Sequence, residues 1–583
     1  MSRKRPASRK LRVLAVDPCL IQKLDTRSIS QLTLQLEWEE LEWTQSGFLG
    51  EYFEVVTYDW SCRCHYQPAT LDDRIVLIED GLPADLSDPR FHQQMVYAVA
   101  SQVVQFFERV LGRPMQWSSR NGFLRRLKLY PYAFRDENAY YSPGEGAILF
   151  GYFAARPGMD GRHFHGETVF TSLCFDIVVH ETVHALLDGL RPGFLHPTNP
   201  DVRAFHEAFA DLVALLLRFS FPELLEHELK RSEGQLLGDN VLLRLGHEFG
   251  LAVGRNSPLR SAVEWSEEKR EWVLNSRPLT EGRNWEDSYE RGAVLVAAIL
   301  EAFLEVYKQR TADLIRIAKR GHDGQFDMTS DLDLVKRLAW EASDTASGML
   351  RVCVRALDYT PPVDITFSDY LRAVITASRD HEPIDTFGVR VALVESCRVR
   401  QIFARELSTM TEESLVWKPF KVEETKFYKK LQGEAKSQLE SLRFGMDRET
   451  AFLVERRIRR HLKKFFATKL LLPARRGRVS GTRRRRSARK VTRELGLVVG
   501  HEFEVESVRP ARRPTSIGWL EELVVVLRQK FTEGNTTCHG GSTLLIEPKT
   551  GEIKYCIGKY PLHHTSDAEK NSWGATGLEN PYR

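Results

Sequence analysis

The stretch Asp176-Ile-Val-Val-His180-Glu181-Thr-Val-His184-Ala-Leu-Leu-Asp188-Gly189 constrains this chain more than any other. Its apolar residues suit a single helix, stopped at Gly189. Four residues apart on a helix, His180 and His184 point the same way, as two ligands of one metal ion must. Glu181 follows the first histidine, beside such an ion rather than on it, where a carboxylate can take the proton of an attacking water. A second helix is expected from Asn199, a good N-cap, with Pro200 at the first helical position. It carries Glu207 and Asp211 one turn apart. A zinc hydrolase needs a third protein ligand, and Glu207 can supply it. Asp211 would accept the remaining ring N–H of a ligand histidine and fix its tautomer.

His180-Glu181-x-x-His184, followed after 22 intervening residues by Glu207 with Asp211 four further on, resembles the thermolysin-like gluzincin metallopeptidases. Asp176 and Asp188 also stand where such enzymes carry acidic residues. Upstream, Asn138-Ala139-Tyr140-Tyr141 is similar to their edge strand, which pairs with the substrate backbone. The resemblance spans roughly residues 91 to 310. It implies an α+β protein with a thermolysin-like two-lobe core, a β-rich N-terminal lobe against a helical C-terminal lobe, and a cleft between them. It also implies one zinc ion per chain on His180, His184 and Glu207, Glu181 as general base, and Asn138 with the Ala139 backbone holding an extended peptide. The expected activity is zinc-dependent peptide-bond hydrolysis, of endopeptidase type.

The chain departs from the family in three places. His206 stands where the family has Asn before the ligand Glu. Arg218 stands where an acidic calcium ligand is expected, so calcium is not expected. The family's transition-state His has no match, and Tyr289, just before an apolar helix, is the candidate oxyanion donor in its place. Arg260, in Leu259-Arg260-Ser261, resembles the arginine that binds the substrate carbonyl. A third-histidine zinc class is excluded, because Ala-Leu-Leu-Asp-Gly-Leu-Arg follows His184. Two other readings compete: a zinc scaffold without turnover, and a protein that binds nucleic acid or a membrane surface through its basic region.

At 583 residues, with 42% hydrophobic and 28% charged side chains, the chain suits a packed multidomain protein and excludes disordered and collagen-like classes. Short apolar alternations (Leu11–Val16, Phe53–Tyr58, Arg74–Ile78) predict a β-rich region over 1–90. A helix over Phe91–Leu111 and strands over Phe123–Tyr130 and Ala147–Phe153 open a catalytic lobe over 91–200. A helical lobe over 201–406 follows, then a basic helical region with an Arg-rich linker over 407–494. A separate small α+β unit over 495–583 contains one hairpin, turned at Gly551. The eight cysteines lack a C-x-x-C pair, and Cys62-Arg-Cys64-His65 reads as thiols rather than a metal half-site. Leu11–Val16 is too short for the core of a signal peptide, and no apolar run approaches a membrane span, so a cytoplasmic protein is expected.

The net charge of +4 conceals an asymmetry. Residues 451–493 hold 17 Lys and Arg against one acid, Glu455, a local +16 that leaves −12 on the remainder. Val454, Ile458, Leu462 and Phe465 share one helical face there, with Arg and Lys opposite. That face suits packing on the body; the basic side suits solvent or an anionic partner.

Overall fold

The computed structural model describes residues 6–15, 30–119, 122–154, 168–237, 262–279, 287–320, 331–420, 446–469 and 491–561, less isolated positions within those spans. Strands β1 (Ser8–Leu14) and β2 (Gln31–Glu37) form an antiparallel pair whose alternate residues are buried, as period-two patterning requires. Next come β3 (Glu42–Thr44), β4 (Gly47–Leu49), β5 (Phe53–Val56) and a two-stranded ribbon of β6 (Tyr58–Asp59) and β7 (Cys64–His65). The Arg74–Ile78 run, expected as a strand, is a helix, α1. Asp73 caps it by accepting the Ile75 N–H at 2.8 Å, and Ile75 and Ile78 are 66% and 69% exposed. With no sheet to pair against, the local cap decides the conformation.

Helix α2 (Pro89–Leu111) ends on Gly112 in the left-handed region, as its Gly-then-Pro exit predicts, and is buried along most of its length. After it come β8 (Leu127–Phe134), β9 (Ala139–Ser142), β10 (Ala147–Ala154) and β11 (Thr168–Phe170). The strand expected from Phe123 therefore begins only at Leu127. These strands join the earlier ones in a mixed sheet ordered β11-β10-β8-β5-β4-β3, with β9 alongside β10 and β8 parallel to both β5 and β10. The expected boundary at residue 90 thus runs through one sheet.

The helical region comprises α3 (Phe175–Leu190), α4 (Pro200–Phe219), α5 (Pro222–Arg231), α6 (Ser288–Arg320), α7 (Leu332–Ala356), α8 (Phe367–His381) and α9 (Val389–Val399). A hairpin, β12 (Val263–Ser266) with β13 (Glu271–Leu274), interrupts what reads as mostly helical sequence. Helix α3 packs between α2, β9 and α4, and α4 packs in turn against α6 and α7. Gly189 does not stop α3, which continues to Leu190. Its missing side chain instead admits the Gln116 carbonyl oxygen, which would lie 2.2 Å from a Cβ.

The C-terminal region holds more than one hairpin. Helix α10 (Arg448–Lys469) precedes an antiparallel meander of β14 (Phe503–Thr515), β15 (Gly518–Glu533), β16 (Thr536–Ile546) and β17 (Ile553–Lys559), with Gly551 at positive φ in the last turn as expected. The strands are not a separate unit. Val524, Val526, Leu545, Tyr555 and Ile557 belong to the main core, while Leu523, Val525, Leu527, Leu544 and Ile546 form a second core with Ile458, Leu462, Phe465 and Phe466 of α10. Burial of both faces accounts for the unbroken apolar run Leu523–Leu527. The helix completing this sheet comes from the basic helical region, and its expected apolar face, Ile458, Leu462 and Phe465, is the one buried. The Arg483–Arg486 run lies outside the described residues. Among the described residues, no helix is long and apolar enough to cross a membrane.

Candidate metal centre

Helix α3 is buried on nearly every face, so its polar residues are held wherever the helix puts them. Asn199 caps α4 by accepting the Asp201 N–H at 2.7 Å, with Pro200 at the first position as expected. The start of α4 is pinned by Asp201, which pairs with Arg291 of α6 and accepts the Phe367 N–H of α8 at 3.0 Å. The end of α4 is tied to the start of α3 by Arg218 and Asp176, a buried ion pair at 2.7 Å. The arginine at the expected calcium-ligand position therefore places its guanidinium on an α3 carboxylate.

Between these ties, His180, His184 and Glu207 converge. The two Nε2 atoms lie 2.9 Å apart, and Glu207 Oε2 lies 3.4 Å from that of His180 and 3.8 Å from that of His184. Zinc bonded at about 2.0–2.1 Å to a tetrahedron of ligands needs ligand separations of about 3.3 Å, so the donor set fits it. Among the described residues, no other group of three or more His, Cys, Asp or Glu donors converges in this way. Cys62, Cys64 and His65 accordingly form no such group. The His180 and Glu207 side chains keep 15% and 20% of their surface exposed against 4% for His184, so the centre opens on the Glu207 side.

Each histidine has its other nitrogen occupied. His180 Nδ1–H donates to Asp211 Oδ1 at 2.8 Å, the role expected of Asp211. His184 Nδ1 lies 2.8 Å from His206 Nδ1, so with Nε2 turned to Glu207 the His184 N–H donates and His206 accepts. Both rings are thereby held with Nε2 inward. His206 appears in the sequence as a mere replacement; its position beside Glu207 was the signal for this role.

The electrostatics match this arrangement. Burial opposes a charge on His180, but Asp211 and Glu207 outweigh it and hold the imidazole well above its ordinary value. Burial would raise the Glu207 carboxyl, but His184 and His180 bring it down to about 2. His206 goes the other way, its burial lowering it to about 4 despite Glu207. A neutral acceptor ring beside His184 follows.

Glu181 is buried and its Oε2 accepts the Tyr141 N–H of β9 at 2.9 Å. The Tyr141 hydroxyl donates to Asp188, two turns further along α3, at 2.8 Å. One residue of β9 thus bonds both the candidate base and Asp188, seating the strand on α3. The strand motif by itself gives Tyr141 no role. Its alternation with Tyr140, buried against half-buried, is the signal that it faces α3.

Asn138 and Ala139 lie at the start of β9, and the Asn138 carbonyl accepts the Gly151 N–H at 2.8 Å. Tyr289 stands half-buried in the first turn of α6, its N–H donating to Asp287 at 2.8 Å, two residues before the Arg291 tie to α4. These contacts put its backbone near the start of α4. Arg260 lies outside the described residues. No protein-family model matches this chain, and no curated protein matches it.

Proposed function

We propose that this protein is a zinc-dependent peptidase of the gluzincin type, with a thermolysin-like pair of lobes, β-rich and helical, meeting at the metal centre. One observation carries the reading: two histidines and a glutamate from two adjacent helices converge, while Asp211 and His206 hold the histidine rings from behind. Three protein donors and an opening on the Glu207 side favour a catalytic over a structural ion, since structural zinc is closed by four protein ligands. A bound zinc ion supplies Lewis acidity to a substrate carbonyl and acidifies water. Glu181 takes the proton of the attacking water and delivers it to the leaving amine, from a position set by the Tyr141 N–H. The β9 edge, with Asn138 and Ala139, holds the peptide extended, and Tyr289 donates to the oxyanion.

Purified wild-type protein is expected to contain about one zinc per chain and to cleave an unstructured protein substrate. Glu181→Gln should retain the zinc and lose at least about 100-fold in turnover, the scale of general-base catalysis. Wild-type protein free of stoichiometric zinc, or undiminished hydrolysis by Glu181→Gln, would overturn the reading.

A further inference from the structure

Helix α10 carries a feature the metal centre does not use. Arg448 seats its start: the guanidinium lies 3.7 Å over the Tyr52 ring and donates to the carbonyls of Met115, Glu51 and Arg125 at 3.0, 2.9 and 2.8 Å. The apolar side, Ile458, Leu462, Phe465 and Phe466, is buried against the C-terminal sheet. Glu455, the single acid of residues 451–493, also turns inward and accepts the Val508 N–H at 3.0 Å. Arg456, Arg457, Arg460, Lys463 and Lys464 are all exposed and share one face at three- and four-residue spacing, with Leu453 exposed at its N-terminal end. Among the described residues, none of the five forms an ion pair with an acid. An unneutralised cationic face on a rigidly seated helix is a surface built for a polyanion.

We propose that this face binds the phosphodiester backbone of a nucleic-acid duplex. From Arg456 to Lys464 the helix rises about 12 Å. A duplex presents about seven phosphate charges over that length, a density that five cations match. The face carries no aromatic side chain to stack on bases, so it reads the backbone and not the sequence. A membrane surface is disfavoured, because an interfacial helix buries its apolar side in lipid and the apolar side of α10 is already buried in protein. The surface is independent of the metal centre, so it stands or falls separately from peptidase activity.

The test is a titration of the full chain against a labelled DNA duplex of about 20 base pairs, read by fluorescence anisotropy. Five phosphate contacts predict a fall in affinity of about 500-fold between about 50 and about 200 mM salt. The triple variant Arg456→Gln, Arg460→Gln, Lys464→Gln should bind more weakly at low salt and lose only about 12-fold over the same range. Its altered positions are exposed, so it should unfold at the wild-type temperature. Wild-type affinity and salt dependence in the triple variant would overturn the proposal. So would sedimentation of the wild type with phosphatidylserine vesicles in the absence of duplex binding.

Discussion

His206 and Asp211 stand behind the candidate metal ligands rather than among them. Each holds the Nδ1 of a candidate ligand histidine at 2.8 Å, so each fixes which ring nitrogen faces Glu207. Losing such a partner frees the ring to rotate and to change tautomer, which typically weakens metal affinity by about 10–100-fold. His206→Ala and Asp211→Ala should each show that loss in competition with a zinc chelator. His206→Asn, whose amide oxygen can still accept the His184 N–H, should lie closer to wild type. Equal zinc affinity in His206→Ala would show that the second histidine is oriented by other means. His180, Glu181, His184, Glu207 and Asp211 are legible in the sequence because helical spacing alone puts them on usable faces. Tyr141 was not, because its pairing with Glu181 and Asp188 depends on how a strand lies across a helix.

Two helices carry the candidate metal centre, and α4 is braced at both ends: Asp201 at its start pairs with Arg291 of α6, and Arg218 at its finish pairs with Asp176 of α3. The second brace is buried, so removing one partner leaves an uncompensated charge at a cost of about 3–5 kcal/mol. Arg218→Met should therefore lower the unfolding free energy by that amount in a denaturant titration. Asp176→Leu combined with Arg218→Met should recover most of it, because an apolar pair of similar volume avoids the desolvation of both charges. A double variant no more stable than the single one would show that the brace is needed for its geometry and not only for its charge balance. Elements were legible where they bury a face along a long run, as in α2, α3 and α4. Arg74–Ile78 misled because a short alternation carries the strand signal even where no sheet lies beside it.

Across the whole molecule, the C-terminal sheet is fastened to the body through a buried ionic junction. Arg113 clamps Asp358 with two bonds of 2.7 Å, and Arg513 of β14 bonds both Asp358 and Glu522. The sheet also reaches α3, since Arg509 donates to the Gly189 carbonyl near its end at 2.8 Å. Burial would raise the Asp358 carboxyl, but Arg113 and Arg513 outweigh it and hold it well below the usual carboxylate range. A carboxyl depressed by folding contributes its stability in full above its unfolded value of about 3.9 and loses it as pH falls toward the folded value. Unfolding free energy should thus drop as pH falls below about 4. Asp358→Asn should be destabilised already at neutral pH, by about 3–5 kcal/mol, with a shallower acid dependence. Denaturant titrations of both proteins from neutral to acid pH check this, and parallel acid profiles would count against the junction.

By itself the sequence determined the candidate ligands, the two helices that carry them, the long buried helix before them and the asymmetry of charge. All of these follow from periodicity and spacing within one continuous segment. Only the tertiary structure decided that β3, β4 and β5 share a sheet with the strands β8 to β11 and that the C-terminal strands are fused to the body. It alone revealed that Arg218 pairs with Asp176, that His206 and Tyr141 bond a candidate ligand and the candidate base, and that Glu455 turns inward while five cations between Arg456 and Lys464 stay exposed. Each of these joins residues from separate segments, where sequence spacing carries no information about distance.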